Sequence, residues 1–262
     1  MASAPEVLFP TSPADAAAAF GDGAGVTVIA GGTIVMPEIS YGRLKPGKTV
    51  VLTQAGLAGV TTDGSTVTIG AATPVSDLVG FRAPLGPCAA NIADLEIRGQ
   101  ATVGGNVCAG EGHGAPRGDL QGALLALGAT ARSAGSDGER SEPLEEFLAN
   151  GAGRLLFDLS FVEPAAGAFA ALDRPHTHDY TALAVSAARA ADGTVRLAVT
   201  GAGTHGQRLP SAESKTSDPA VAGEAALADV TPHDDALASA WYRSKTLPVL
   251  VRRALAQLEE AS

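Results

Sequence analysis

Cysteine is almost missing from this 262-residue chain, which holds only Cys88 and Cys108. Two thiols fall short of the four that an iron–sulfur cluster normally takes, and they offer no disulfide framework. They read as two buried thiols, so any redox chemistry here needs an organic cofactor or electrons from a partner. Aromatic residues are scarce too, at 4%, too few for the stacking platforms that grip single-stranded nucleic acid. Positive charge is also short: 18 Lys and Arg stand against 28 Asp and Glu, a formal net charge of −10. That balance argues against a nucleic-acid or anionic-membrane surface, where a basic patch is expected. No run of about 18 consecutive apolar residues is present, so no membrane span is expected. Met1 to Glu6 carries no basic segment followed by a hydrophobic one, which leaves the cytoplasm as the default location.

What the chain does have is a hydrophobic fraction of 45%, enough over this length for two domains and a sizeable core. The stretch Val28-Ile29-Ala30-Gly31-Gly32-Thr33-Ile34 begins as a β-branched strand and breaks at two glycines followed by a hydroxyl. Main chain without Cβ atoms lets N–H groups approach a bulky anion, as a phosphate requires. A strand ending in a plain tight turn accounts for the same residues. Ala101-Thr102-Val103-Gly104-Gly105-Asn106 repeats the combination and adds a side-chain amide. Two such loops can embrace a pyrophosphate through backbone donors; otherwise two unrelated turns coincide. Asp119 opens a Leu/Ala-rich helix ending at Gly128. It reads as an N-cap, or equally as an acceptor for ribose or ribityl hydroxyls. His113 sits in the Gly-rich loop Ala109 to Gly118, where no second metal ligand is spaced for it; it reads as a solvated loop residue.

The remaining pattern gives a coarse order of elements. A βαβ-like opening comprises a strand at Val7 to Phe9, a helix capped by Ser12 with Pro13 first, and a strand at Val26 to Ala30. Thr49 to Leu52 is the next strand. Asp63-Gly64 marks a hairpin between Leu57 to Val60 and Thr66 to Gly70, and Thr73 to Val79 reads as a helix start. Strands at Ala129 to Arg132 and Arg154 to Phe161 flank a polar hairpin and a helix at Leu144 to Leu148. A boundary is expected near 160–170, separating 1–165 (subdomains about 1–56 and 57–165) from 166–262. Beyond it lie strands at Tyr180 to Ala190 and Thr194 to Thr200, a connection at Lys215 to Gly223, and helices at Asp234 to Ala240 and Leu247 to Leu258. The last helix places Leu247, Leu250, Val251, Leu255 and Leu258 on one face.

In this order, Ala30-Gly31-Gly32-Thr33, Thr102-Val103-Gly104-Gly105-Asn106 and Asp119-Leu120-Gln121-Gly122-Ala123-Leu124-Leu125-Ala126-Leu127 resemble one family. It is the FAD-binding (medium) subunit of molybdenum hydroxylases, the xanthine dehydrogenase and aerobic carbon monoxide dehydrogenase group. The ending is similar to that family's closing pattern: Asp234-Asp235, Ala240-Trp241-Tyr242-Arg243, then Val249-Leu250-Val251-Arg252-Arg253-Ala254-Leu255. The resemblance implies an α+β fold, a two-subdomain FAD-binding module of the vanillyl-alcohol-oxidase type followed by a small α+β C-terminal domain. It implies FAD held by Val28, Ile29, Ala30, Gly31, Gly32, Thr33 and Ile34 on one side. Ala101, Thr102, Gly104, Gly105 and Asn106 hold the other, Asp119 contacts the sugar-like chain, and Thr73, Leu155 and Leu156 lie near the flavin. It further implies an oxidoreductase subunit with no catalytic side chain and no metal of its own. Its partners would be a molybdopterin large subunit and a two-iron-two-sulfur small subunit, and its electrons would go to NAD⁺, a quinone or oxygen. A free-standing flavoenzyme with the same site, and a subunit that has lost flavin, are the alternatives. The loop 107–118 is longer than the family's common form. Where relatives often carry a basic residue near the flavin, Phe169 to Arg174 offers only Arg174.

Overall fold

A computed structural model of the chain describes residues 5–110, 118–172, 176 and 180–261; His113 and Arg174 lie outside them. The first part runs β1 (Glu6–Leu8), α1 (Pro13–Phe20), β2 (Val26–Ile29), α2 (Val35–Ser40) and β3 (Lys48–Val51). Ser12 caps α1 by accepting from the Asp15 N–H, and Pro13 leads it, where its missing N–H costs nothing. The βαβ opening is modified in one respect. β1 and β2 do not pair with each other; both pair in parallel with β3, which slots between them. The Val50-Val51 run suits that central position, and Val50 is fully buried. The apolar segment after Gly32 coils into α2, with Pro37 in its first turn, where no intrahelical N–H bond is lost.

The second part contains β4 (Val60–Asp63), β5 (Thr66–Gly70), α3 (Leu85–Ala90), α4 (Leu95–Gln100), α5 (Val103–Val107), α6 (Asp119–Ala126), β6 (Thr130–Gly135), β7 (Gly138–Pro143), α7 (Leu144–Asn150) and β8 (Leu155–Val162). Its antiparallel sheet has the order β4-β5-β8-β6-β7. Leu120 and Leu124 of α6 pack with Ile69 and Leu159 of the sheet. β8 serves two cores at once: Leu156 and Leu159 join α6, whereas Leu155 and Phe157 join Ala16 and Val50 of the first part. The helix expected from Thr73 shrinks to a 3₁₀ turn at Val75–Leu78. The Thr73 hydroxyl is engaged elsewhere, accepting from the Gly59 N–H at 2.9 Å and donating to the Gly59 carbonyl at 3.0 Å.

The third part consists of β9 (Ala166–Ala171), β10 (Ala184–Arg189), β11 (Val195–Thr200), β12 (Gln207–Arg208), α8 (Pro210–Glu213), α9 (Pro219–Ala225) and α10 (Ala240–Glu260). Its antiparallel sheet has the order β12-β11-β10-β9. Three local expectations are corrected. β9 was not visible because alanine is a poor strand former, yet Ala166, Ala168 and Ala170 alternate inward under α10. Lys215 to Gly223 is no mere connection: Asp218 caps α9 ahead of Pro219, a start signal present in the sequence. Asp234 to Ser239 is not helical, and one long α10 begins after the Ser239 cap and continues through Pro248. Its five expected core residues are all buried in the third core. Among the described residues no helix is long and apolar enough to cross a membrane.

Candidate functional site

Residues from all three parts line one cavity of about 700 Å³, within the range of cofactor sites. Of the residues singled out from the sequence, Val28, Ala30, Gly31, Gly32, Thr33, Ile34, Ala101, Thr102, Gly104, Gly105, Asn106, Asp119, Leu155 and Leu156 line it. Ile29 and Thr73 do not; Thr73 is wholly buried against Gly59.

The two Gly-Gly segments meet main chain to main chain. A Cβ added at Gly31 would overlap the Gln100 carbonyl, and one at Gly104 would come within 2.7 Å of the Ala71 Cβ. Gly32 has φ +72°, a conformation that favours glycine and turns the chain into α2. At that turn the N–H groups of Gly31, Gly32, Thr33 and Ile34 meet no protein acceptor among the described residues. Four successive unpaired N–H groups on a cavity wall form a concavity for an anion.

The second segment differs from the expected loop of donors. It forms the short helix α5, and its N–H groups are already engaged: Val103 donates to Thr73 O (2.9 Å), Gly104 to Ala71 O (2.7 Å) and Gly105 to the Thr102 hydroxyl (3.1 Å). Its glycines serve close approach rather than donation. Asn106 Oδ1 accepts from the Leu120 N–H at 2.9 Å and so caps α6 across space. Asp119 is therefore the first helical residue and not the cap; that position falls to Gly118, which has no side chain to offer.

Arg154 also lines the cavity, but its guanidinium is turned to the Ser133 hydroxyl, the Asp137 carboxylate and the Gly138 carbonyl. Among the described residues this leaves the main-chain N–H groups of Gly31 to Ile34 as donors on the cavity wall that have no protein acceptor. The cysteines divide. Cys88 is buried and donates to Asp119 O, and burial, with the nearby Asp119 charge, pushes its thiol far above the ordinary value. Cys108, contrary to the expectation of two buried thiols, has accessible surface inside the cavity. The enclosing protein pushes its thiol up to about 12. No group of three metal-ligating side chains occurs among the described residues. Sequence reasoning missed the Asn91, Tyr180 and Thr181 wall, where Asn91 Nδ2 donates to the Thr181 hydroxyl at 2.7 Å across 90 residues. No local pattern signals such a pairing.

Known proteins share both sequence and fold with this chain. The family described as "FAD binding domain in molybdopterin dehydrogenase" matches residues 3–156. The alpha subunit of the 6-hydroxypseudooxynicotine dehydrogenase complex of Paenarthrobacter nicotinovorans is 28% identical over 258 residues, covering 88% of this chain and 86% of its own. The carbon monoxide dehydrogenase medium chain of Hydrogenophaga pseudoflava is 28% identical over 273 residues, covering 94% of each. The solved structure of reconstituted CO dehydrogenase from Oligotropha carboxidovorans superposes with a TM-score of 0.86 at 25% identity, covering 100% of both chains.

Proposed function

This chain belongs to the FAD-binding domain family of molybdopterin dehydrogenases, and we propose that it relays electrons within a multi-subunit dehydrogenase of that kind. The observation that carries the reading is the run of four N–H groups, Gly31 to Ile34, that meet no protein acceptor among the described residues, on a cavity that both Gly-Gly segments line. They would hold the FAD pyrophosphate, with Gly104, Gly105 and Asn106 as the opposing wall and Asp119 toward the ribityl or ribose hydroxyls. Val28, Leu155 and Leu156 give the apolar surface that excludes water beside the ring system. FAD supplies the one- and two-electron chemistry, and the chain's own residues bind and orient it. No side chain need act as acid or base. A two-iron-two-sulfur subunit would deliver electrons drawn from substrate at a molybdopterin subunit, and NAD⁺, a quinone or oxygen would take them away. We place the FAD-binding domain at 1–165, with subdomains about 1–56 and 57–165, and the C-terminal domain at 166–262. The core between the third sheet and α10 supports that division, while Ala188 and Ala198 on the other face of that sheet join the core of the second part.

The test is co-purification of the tagged chain followed by cofactor and metal analysis. We expect one FAD per chain, molybdenum and iron in the co-purified subunits, and no substrate oxidation by the chain alone. Turnover by the isolated flavoprotein would favour a free-standing flavoenzyme, and a chain that takes up no FAD would end the reading.

A further inference from the structure

The closing pattern Asp234-Asp235 to Arg243 has no part in cofactor binding as described so far. Arg243, in the first turn of α10, is the one charged residue found fully buried among the described residues. Burying a guanidinium costs several kcal/mol unless its donors are matched. Here they are matched by a fork that gathers four acceptors. Nη1 donates to His233 O (2.5 Å) and Ala238 O (2.8 Å), Nη2 to Asp235 Oδ1 (2.7 Å), and Nε to Ala182 O (3.4 Å). The first three bind the turn that precedes α10. The fourth reaches a different place in the chain: Ala182 directly follows Tyr180 and Thr181, which line the cavity. Thr181 is in turn held from the other side by Asn91. The segment Tyr180 to Ala182, whose first two residues wall the cavity, is thus tied to the second part through Asn91 and to the last helix through Arg243.

We propose that Arg243, oriented by Asp235, is a positioning residue for the cofactor: by fixing the Ala182 carbonyl it sets where Tyr180 and Thr181 stand against bound FAD. This rests on the reading of the cavity as the FAD site. A planar fork with five donors can serve these four acceptors together, whereas a lysine ammonium with three cannot. Arg243→Lys in the full chain should therefore still bind about one FAD through Gly31 to Ile34. Its affinity should fall roughly three- to tenfold, with altered flavin fluorescence and a shifted flavin reduction potential. Asp235→Asn, which keeps Arg243 and an oxygen acceptor, should move both signals in the same direction by less. Leu250→Ala, a core change two turns further along the same helix that leaves the Arg243 hydrogen bonds in place, should lower Tm and leave both flavin signals unchanged. If Arg243→Lys and Asp235→Asn lower Tm while the flavin signals and affinity stay at parental values, Arg243 is a structural residue only and the proposal is overturned. If Arg243→Lys fails to fold, Asp235→Asn decides alone. A parent protein that takes up no FAD overturns the site reading itself, and the positioning role with it.

Discussion

Gly31 faces the Gln100 carbonyl with no room for a Cβ, so the smallest possible side chain there meets rigid backbone rather than a flexible tip. Overpacking against main chain costs about 1–3 kcal/mol or more. Gly31→Ala should accordingly lower Tm by several degrees, measured by thermal unfolding, as well as weaken FAD binding. Gly32 needs its positive φ, so a β-branched residue there would strain the turn as well as block the anion site. Cys108 offers a probe that leaves the fold intact. Because the enclosing protein pushes its thiol up to about 12 while its surface faces the cavity, apo-protein at pH 8 should react slowly with iodoacetamide at Cys108 and not at Cys88. Saturating FAD should suppress that labelling, which mass spectrometry of the digest would show. At this scale the sequence is informative where chemistry is local: a Gly-Gly pair with its hydroxyl neighbour can be read directly. That the two pairs do different jobs cannot be, because Ala71 and Thr73, which take up the N–H groups of Gly104 and Val103, lie some thirty residues away in the chain.

The start of α1 was legible, since Ser12 and Pro13 carry its signal in adjacent residues. The cap of α6 was not legible, because its acceptor belongs to Asn106 on the preceding helix and not to the residue before Leu120. That bond gives Asn106 a part in folding beside the one proposed for it in binding, and two substitutions separate the roles. Asn106→Ala leaves the Leu120 N–H without its acceptor and should cost about 1 kcal/mol of stability. Asn106→Asp keeps an acceptor oxygen and should leave Tm within a few degrees. It adds a negative charge to a wall that already holds Asp119, so FAD affinity should fall at least about tenfold by fluorescence titration. The strand β9 escaped for a related reason. Its alanines carry a clean period of two, but the signal is weak without the helix α10 that covers them.

The largest-scale feature, residues of all three parts meeting at one cavity, depends on contacts between distant segments, and the family resemblance anticipated only the walls around the two Gly-Gly segments, Asp119, Leu155 and Leu156. One consequence can be read from pH. Burial works against the Asp235 charge, but the hydrogen bonds from Arg243 and from the Leu237 and Ala238 N–H groups outweigh it and hold the carboxyl well below the usual range. A depressed folded-state value means the stabilisation is complete above the unfolded value of about 4 and is lost as pH falls below it. The stability gap between the parent and Asp235→Asn should therefore be constant above about pH 5 and shrink between roughly pH 4 and 2, by urea unfolding at stepped pH. The cavity has a further consequence. A cavity of about 700 Å³ walled by residues of all three parts makes its occupant a term in the folding equilibrium of each of them. Free FAD at a hundred times its Kd adds about 2.7 kcal/mol against unfolding, a large share of a typical domain's margin. The margin against unfolding then narrows as the supply of flavin falls, in all the parts that wall the cavity at once.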